Sequence, residues 1–234
     1  EEDWSPAQIA GVLAKEGIHI AKQTIYNHVH ADTTGKLRPH LPHELKYTRR
    51  CKAQRPTKAT NIANRTSIHQ RPKEADGTRF GDWEMDTIVD SYGHAILTLT
   101  ERSTNFILME KLPQGRKAMP TAQAVVRLLP YRDSIRTITT DNGCEFAAHL
   151  EITRALSRKG RRKIIVYFAD SYASWQKGAI ENANKLIRKY IPKKANFEDF
   201  SSRQVANIQK KINRRPREKL NFETPKSRFF RFYD

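Results

Sequence analysis

Three consecutive strand-like segments with short turns between them constrain the fold of this chain more than any other feature. They cover residues 83–89, 94–100 and 106–112, and each is rich in β-branched, aromatic and other apolar residues. Residues 90–93 and 102–105 separate them and contain the Asp, Asn, Ser and Gly residues that favour turns. This pattern predicts an antiparallel meander.

After the meander, helical and strand-like segments alternate along the chain. Apolar periodicity predicts strands at residues 135–140 and 163–168, and helices at 118–129, 149–157, 176–190 and 201–213. A meander followed by alternating strands and helices is typical of α/β folds in which helices pack on a mixed sheet. We therefore predict a mixed five-stranded sheet flanked by helices, within a domain at residues 76–234.

The N-terminal part of the chain has a different pattern, with two short helices. Ser5 can cap a helix that begins at Pro6, and Gly17 ends it. A second helix at residues 22–30 would bury Ile25 and Val29. Its other side carries the candidate DNA-contacting residues Lys22, Gln23, Asn27 and His28. This arrangement predicts a small all-α helix-turn-helix domain at residues 1–35, although a generic helical hairpin explains it almost as well.

Residues 36–75 contain little helical or strand-like periodicity. This stretch holds four prolines and a basic run, with Arg49, Arg50 and Lys52 as candidate phosphate contacts. We interpret it as a basic, mostly extended linker that lies along DNA. A solvated tether without a DNA contact is the simpler alternative.

The charge of the chain points to a polyanionic partner. Its 43 Lys and Arg residues against 25 Asp and Glu residues give a formal net charge of +18. Contacts between basic side chains and phosphates release counterions, so DNA or RNA is the expected partner. A ribosomal protein would have a similar charge. No long apolar run or basic amphipathic anchor favours a membrane.

The two cysteines and the chain start bear on the cellular setting. Cys51 and Cys144 are isolated from each other and from histidine clusters, so they predict neither a zinc site nor a disulfide framework. No signal peptide is recognisable, and we expect a reduced, cytoplasmic setting. Because the chain begins at Glu1 rather than at Met, we expect a fragment of a longer protein.

Acidic residues lie within three of the predicted apolar elements of this basic chain. They belong to the motifs DWEMD at residues 82–86, TDNGCEF at 140–146 and IEN at 180–182. A carboxylate in a half-buried element is unfavourable unless something compensates its charge, and Mg²⁺ prefers oxygen ligands. Two metal ions held by converging carboxylates are well suited to phosphoryl transfer. The motifs therefore favour a metal-dependent nucleic-acid enzyme.

Each motif also has a simpler explanation. On a strand, Asp82, Glu84, Asp86 and Asp90 share one face, which could be an exposed acidic face, and periodicity does not select Asp86 over Glu84. Asp141 could cap a turn that follows a strand. Glu181 could be a surface residue paired with a lysine one helical turn away. Only their combination, on suitable elements of a basic chain, favours a metal site.

The same motifs carry a resemblance to a known family. The segment 169–193 resembles the signature helix of insertion-sequence transposases of the "IS thirty" type, in which the Glu before Asn is a metal ligand. Residues 140–146 and 81–86 are similar to the other two motifs of this DDE transposase and retroviral integrase superfamily. Met85 stands where the family usually has Gly, and residues 158–163 look like a basic insertion. The match covers nearly the whole chain, although members often carry a further upstream helix-turn-helix.

The resemblance implies an RNase H-like fold and selects Asp86 over Glu84. It implies that Asp86, Asp141 and Glu181 are catalytic and bind two Mg²⁺ ions, for which Mn²⁺ can substitute. The implied reaction is cleavage at terminal inverted repeats of double-stranded DNA, followed by joining of the 3′ hydroxyl to target DNA. Members act as homodimers or larger assemblies on DNA. On the helix that bears Glu181, we expect phosphate contacts from Lys177, Lys185, Arg188 and Lys189.

Two other functions remain open at the level of sequence. One is a non-catalytic, domesticated transposase that acts as a DNA-binding regulator, which the three acidic residues disfavour. The other is an RNase H-like nuclease, which the separate helix-turn-helix disfavours because a hydrolase need not read a DNA sequence. Metal binding distinguishes the first alternative, and a strand-transfer product distinguishes the second.

Overall fold

The computed structural model describes residues 3–41, 62–130, 132–157, 163–171 and 173–233. Contacts divide the chain into two compact units, one within Glu1–Lys58 and Asn213–Asp234 and the other within Ala59–Ile212. The predicted boundaries at residues 1–35, 36–75 and 76–234 differ from this division at both ends of the larger unit. Of the helices in the described residues, none is long and apolar enough to cross a membrane.

The larger unit contains a mixed six-stranded sheet. Its strands lie in the order β1-β6-β5-β2-β3-β4, with β2, β3 and β4 antiparallel and β2, β5, β6 and β1 parallel. The bounds are β1 (Thr66–Ser67), β2 (Asp82–Val89), β3 (Ala95–Glu101), β4 (Ile107–Leu112), β5 (Thr137–Thr140) and β6 (Ile165–Phe168). The predicted meander and mixed sheet are confirmed.

Helices cover both faces of this sheet, which is why every residue of β3 is buried. In this unit the helices are α3 (Ala118–Leu128), α4 (His149–Leu156), α5 (Gly178–Tyr190) and α6 (Ser202–Arg214), whose last residues belong to the smaller unit. On one face, α5 buries Ile180, Ala183 and Ile187, which recur at helical spacing, against Ile88 and Ile96 of the sheet. Helix α3 packs on β3 and β4.

The predicted count of five strands is wrong, because β1 adds a sixth. Thr66 and Ser67 pair in parallel with Tyr167 and Phe168 of β6. Ile62 and Ile68, on either side of β1, are buried. The extended-linker interpretation therefore does not hold for residues 62–75, which are part of the larger unit.

The smaller unit contains the N-terminal helical hairpin and the C-terminal tail. Its helices are α1 (Pro6–Lys15), α2 (Lys22–Ala31) and α7 (Pro225–Phe230). Ser5 and Gln8 form a capping box at the start of α1, which confirms the predicted start of this helix. Gln8 Nε2 also donates to Pro216 O at 2.6 Å. A Cβ on Gly11 would lie 2.3 Å from the Phe222 ring, so the tail packs closely on α1.

Candidate active site

Asp86 lies on β2 and is bonded to helix α5. Its Oδ2 accepts a hydrogen bond from Asn184 Nδ2 at 3.0 Å, and its Oδ1 accepts one from the Thr87 backbone N at 2.8 Å. Thr98 Oγ1 on β3 lies 3.1 Å from both Asp86 O and Asn184 Oδ1. Asn184 of α5 and the backbone of β2 therefore fix the direction of this carboxylate, and Thr98 in turn holds Asn184.

Asp141 follows β5 and lies beside Asp86 because of the strand register. β5 is the parallel neighbour of β2, and Glu84 pairs with Thr139. Asp86 follows Glu84 by two residues, and Asp141 follows Thr139 by two residues. Paired strands lie about 4.8 Å apart, so this register brings the two aspartates close together. Asp141 Oδ1 accepts a hydrogen bond from Gly143 N at 3.0 Å, which holds it at the turn after β5.

Burial and neighbouring negative charge raise the pKa of Asp86 to about 6. Loss of hydration is the largest cause, and the charges of Asp141 and Glu145 act in the same direction. The positive charge of Lys177 and the hydrogen bond from Thr87 N oppose the rise. The ionised form of Asp86 would thus be stabilised by additional positive charge, which a divalent cation supplies, and carboxylate oxygens suit Mg²⁺.

Glu181 lies in the first turn of α5, a helix that packs on β2 and β3. The start of α5 is fixed there, because Ile180 N donates to Glu84 Oε2 at 2.8 Å. Glu181 precedes Asn184 by three residues and therefore lies on the same side of the helix as the residue that contacts Asp86. Its side chain is half-buried.

In this conformation the three carboxylates are not gathered into one ligand set. Within the part of the chain that the structure describes, no group of three or more Asp, Glu, His or Cys side chains is close enough to hold a metal ion. Asp86 is bonded to Asn184, and Asp141 Oδ2 lies 3.3 Å from Lys177 Nζ. The donor chemistry fits a divalent cation, and binding it would require these contacts to rearrange.

The other acidic residues of β2 are engaged in buried ion pairs. Glu84 Oε1 lies 2.8 Å from Arg102 Nε, and Asp82 binds the Nε and Nη2 of Arg79 at 2.9 Å each. Both carboxylates are fully buried. The alternative of an exposed acidic face on this strand is therefore wrong. Asp86, in contrast, has the charge of Asp141 among the causes of its raised pKa.

Sequence reasoning missed two residues of this centre, Glu145 and Arg116. Glu145 is buried in the turn after β5, and its carboxylate binds Arg116 and Thr87. The sequence did contain a signal, because Glu145 directly precedes a large apolar residue, Phe146. In the structure Phe146 is fully buried. Arg116 lies next to Lys117 just before α3, and no pattern in the sequence distinguishes it.

The predicted phosphate contacts of α5 lie in different environments. Lys185 is exposed, whereas Lys177 is buried and paired with Asp141. Arg188 is half-buried, donates to Val89 O at 3.1 Å and lies 5.5 Å from the centre of a phenylalanine ring. Lys189 is half-buried as well. Lys185 is thus the member of this set that is most accessible to DNA.

The other predicted DNA contacts lie on α2 or outside the described residues. The side chains that project from α2 are exposed, namely Lys22, Gln23, Asn27 and His28. Ile25 and Val29 are only partly buried. Arg49, Arg50 and Lys52 fall outside the described residues. The structure thus has the predicted helical hairpin, and its DNA-reading role stays a prediction.

Three curated relatives are similar to this chain over most of its length. The transposase of insertion sequence element IS4351 from Bacteroides fragilis is 39% identical over 236 residues, which cover 98% of this chain and 70% of the relative. The IS30A transposase InsI of Escherichia coli strain K12 is 32% identical, covering 97% and 61%. The IS1086 transposase of Cupriavidus metallidurans is 32% identical, covering 96% and 68%. The chain thus spans about 60–70% of the length of these relatives.

A solved structure matches the fold. The catalytic core domain of BIV integrase superposes with a TM-score of 0.50 at 18% identity, covering 65% of this chain and 95% of that domain. At this identity the likeness shows the fold alone, which is the RNase H-like fold of integrase catalytic cores. No protein-family model matches the chain. The identity to the curated relatives establishes the family, and the expected resemblance is confirmed: this chain belongs to the IS30 family of insertion-sequence transposases.

Proposed function

We propose that this chain binds the inverted repeats at transposon ends, cleaves the DNA there and joins the freed 3′ hydroxyl to target DNA. One observation carries the proposal. Asp86 and Asp141 follow the same register on adjacent parallel strands, and α5, which bears Glu181, is bonded to Asp86 through Asn184. Three carboxylates thus come from a strand, a strand end and a helix that are in direct contact.

We assign Asp86, Asp141 and Glu181 as the residues that would hold two Mg²⁺ ions, for which Mn²⁺ can substitute. When bound, such ions activate the attacking oxygen and stabilise the leaving oxygen of an in-line displacement at phosphorus. The raised pKa of Asp86 supports the assignment, because a buried carboxylate beside other carboxylates needs positive charge to stay ionised. Asn184 acts as a positioning residue that holds Asp86 Oδ2.

In the proposed reaction, water attacks the phosphorus at the transposon end, and the bond from phosphorus to the 3′ oxygen breaks. The released 3′ hydroxyl then attacks a phosphate of the target DNA, forms a new phosphodiester bond and displaces the 3′ oxygen of the target strand, so no covalent protein intermediate forms. Lys185 is exposed on the helix that bears Glu181, one turn further along, and would bind a backbone phosphate near the reacting group. The excess of basic residues supports a DNA substrate.

End recognition and assembly belong to the same proposal. The α1–α2 hairpin exposes polar side chains of α2 and would act as a helix-turn-helix that reads part of the inverted repeat. We expect a homodimer or a larger assembly on paired DNA ends. Because the chain spans about 60–70% of its relatives, these activities of the whole protein are proposals for this chain.

Replacement of Glu181 by Gln tests the proposal directly. The assay measures Mg²⁺-dependent nicking of DNA that carries the terminal repeats of the chain's own element, with DNA binding measured in parallel. We expect E181Q to abolish nicking and to leave binding nearly unchanged. Glu151→Gln on α4 is the matched control, because Glu151 is a partly exposed helix carboxylate paired with Arg154.

The outcomes separate the proposal from its rivals. Nicking retained by E181Q would remove Glu181 from the metal site. Repeat-specific binding by the unmodified chain without cleavage, in either Mg²⁺ or Mn²⁺, would favour a DNA-binding regulator. Cleavage without any strand-transfer product would favour a nuclease.

A further inference from the structure

Glu145 is a buried carboxylate beside the candidate active site that is not one of the three proposed metal ligands. It lies in the 3₁₀ turn Cys144–Phe146, directly after the Asp141 motif. Arg116 Nε and Nη2 donate to its Oε1 and Oε2 at 3.0 Å and 2.7 Å, and Thr87 Oγ1 donates to Oε1 at 2.5 Å. Burial would raise the pKa of Glu145, but the bonds from Arg116 and Thr87 outweigh it and hold the pKa below its usual value.

The guanidinium of Arg116 is held along one edge and exposed along the other. The Arg116 side chain is 44% exposed, whereas that of Glu145 is 3% exposed. Since Nε and Nη2 face the carboxylate, Nη1 lies on the opposite side of the planar group. Among the described residues, Nη1 has no hydrogen-bond partner. The ion pair therefore fixes the direction of a guanidinium edge that remains available to a ligand.

This available edge lies close to the catalytic carboxylates. Thr87, which binds Glu145, directly follows Asp86, and its backbone N binds Asp86 Oδ1. The Glu145 carboxylate packs on the turn that carries Asp141, because a Cβ on Gly143 would lie 2.6 Å from Glu145 Oε2. The charge of Asp141 also reaches the guanidinium, where it adds to the larger effect of Glu145 in raising the pKa of Arg116.

Two other arginine–carboxylate pairs, which involve strand β2, provide a comparison because their role is purely structural. Arg102 pairs with Glu84 and Arg79 pairs with Asp82, and both of these carboxylates are buried on β2. The side chain of Arg102 is 13% exposed and that of Arg79 is 24% exposed. Arg116 is about twice as exposed as the more open of these. An arginine can therefore neutralise a buried carboxylate while being much less exposed than Arg116.

We propose that Arg116 binds a DNA backbone phosphate next to the reacting one, and that Glu145 is the positioning residue that orients it. The planar guanidinium suits a phosphate diester, whose two non-bridging oxygens match its N–H donors. A held guanidinium loses less side-chain entropy on binding than a free one. The inference rests on the proposed function for the identity of the neighbouring reaction, but the phosphate contact itself requires no metal ion and no catalysis.

The salt dependence of DNA binding in EDTA tests the contact without any reaction. The probe is a 30-base-pair duplex with the element's terminal repeat, and its Kd is measured at several NaCl concentrations for the complete chain. Loss of one phosphate contact reduces the slope of log K against log salt by about 0.9. We expect this reduction for Arg116→Met and none for Arg127→Met. Arg127 is the matched control, because it is an exposed arginine bound to Glu110 from the adjoining α3.

A double variant guards against a simple folding defect. R116M leaves Glu145 buried without its partner and should lower the Tm, whereas R116M with Glu145→Gln removes both charges and should recover stability. We expect the double variant to keep the reduced salt slope. An unchanged slope in the folded double variant would show that Arg116 only neutralises Glu145 and would overturn the proposal. Because the readout is binding in EDTA, this result is independent of whether E181Q abolishes nicking.

Discussion

Lys177 Nζ lies 3.3 Å from Asp141 Oδ2, so an ammonium group contacts one of the carboxylates to which we assign metal binding. Lys177 is buried, although its charge and its place before α5 had suggested a contact with DNA. Burial is the main cause of the raised pKa of Asp86, and the Lys177 charge opposes it. Lys177 thus provides positive charge at the carboxylates in the conformation described.

Removal of this ammonium group should strengthen metal binding. In Lys177→Met, a divalent cation no longer competes with Lys177 for Asp141. We expect Mn²⁺ to bind roughly tenfold more tightly, which corresponds to about 1.4 kcal/mol. Calorimetric titration of the DNA-free chain with Mn²⁺ measures the change. Lys185→Met, at an exposed position of the following helix α5, should leave the Mn²⁺ affinity unchanged. Weaker binding in K177M would mean that Lys177 supports the ligand geometry rather than competing with the cation.

The raised pKa of Asp86 predicts an unusual pH dependence of stability. The ordinary Asp value is 3.8 and the folded value is about 6, so between them the folded chain binds more protons than the unfolded chain. Stability should therefore fall as pH rises from about 4 to 6, and ionised Asp86 should lower it at pH 7 by on the order of 1–3 kcal/mol. Asp86→Asn should be more stable than the unmodified chain at pH 7 in EDTA.

Urea unfolding at several pH values measures this effect. The difference between D86N and the unmodified chain should shrink towards pH 4, where Asp86 is protonated in the folded state. Mn²⁺ should stabilise the unmodified chain at pH 7 and stabilise D86N much less. A difference that does not vary with pH would contradict the assignment of the effect to Asp86 ionisation.

The strands around Asp86 show what could be predicted from sequence and what could not. Alternation and turn residues predicted β2, β3 and β4 to within about two residues, because these signals are local. They also placed Asp82, Glu84 and Asp86 on one strand face. These carboxylates differ in the residues that they contact. Glu84 binds Arg102, whereas Asp86 binds Asn184, which is almost a hundred residues away in the sequence. Periodicity contains no information about such distant contacts.

The unpredicted elements have the same physical origin. β1 has two residues, too few for any periodic pattern, and it forms only because β6 offers a parallel edge. The C-terminal tail packs on the N-terminal hairpin because Gly11 has no side chain and so leaves room on α1 for the Phe222 ring. Arg116 becomes a candidate phosphate contact only because Glu145 orients it. Each feature depends on pairs of residues that are distant in sequence.

Gly81 and Gly93, which lie before and after β2, provide a matched test of backbone packing. Both have positive φ, at +97° and +90°. A Cβ on Gly81 would lie 1.9 Å from Ser134 O, whereas a Cβ on Gly93 meets nothing within 4 Å. We expect Gly93→Ala to cost about 1–3 kcal/mol from backbone strain alone, and Gly81→Ala to cost clearly more because β2 and the segment before β5 must also separate. Urea unfolding of the two variants compares them, and equal losses would contradict the predicted clash.

The exposed polar face of α2 allows the DNA-reading role to be tested. Gln23 and Asn27 are one helical turn apart, and Gln23 Nε2 donates to Asn27 Oδ1 at 2.9 Å on the exposed side. If this pair contacts base edges, Gln23→Ala and Asn27→Ala should each weaken binding to terminal-repeat DNA by about 1–3 kcal/mol and leave binding to unrelated duplex DNA almost unchanged. Lys22→Ala, which removes a candidate phosphate contact from the same helix, should weaken both equally and reduce the salt slope. Competition binding with the two DNAs gives both values. Equal losses on the two DNAs for Q23A and N27A would show that α2 supports the unit without reading sequence.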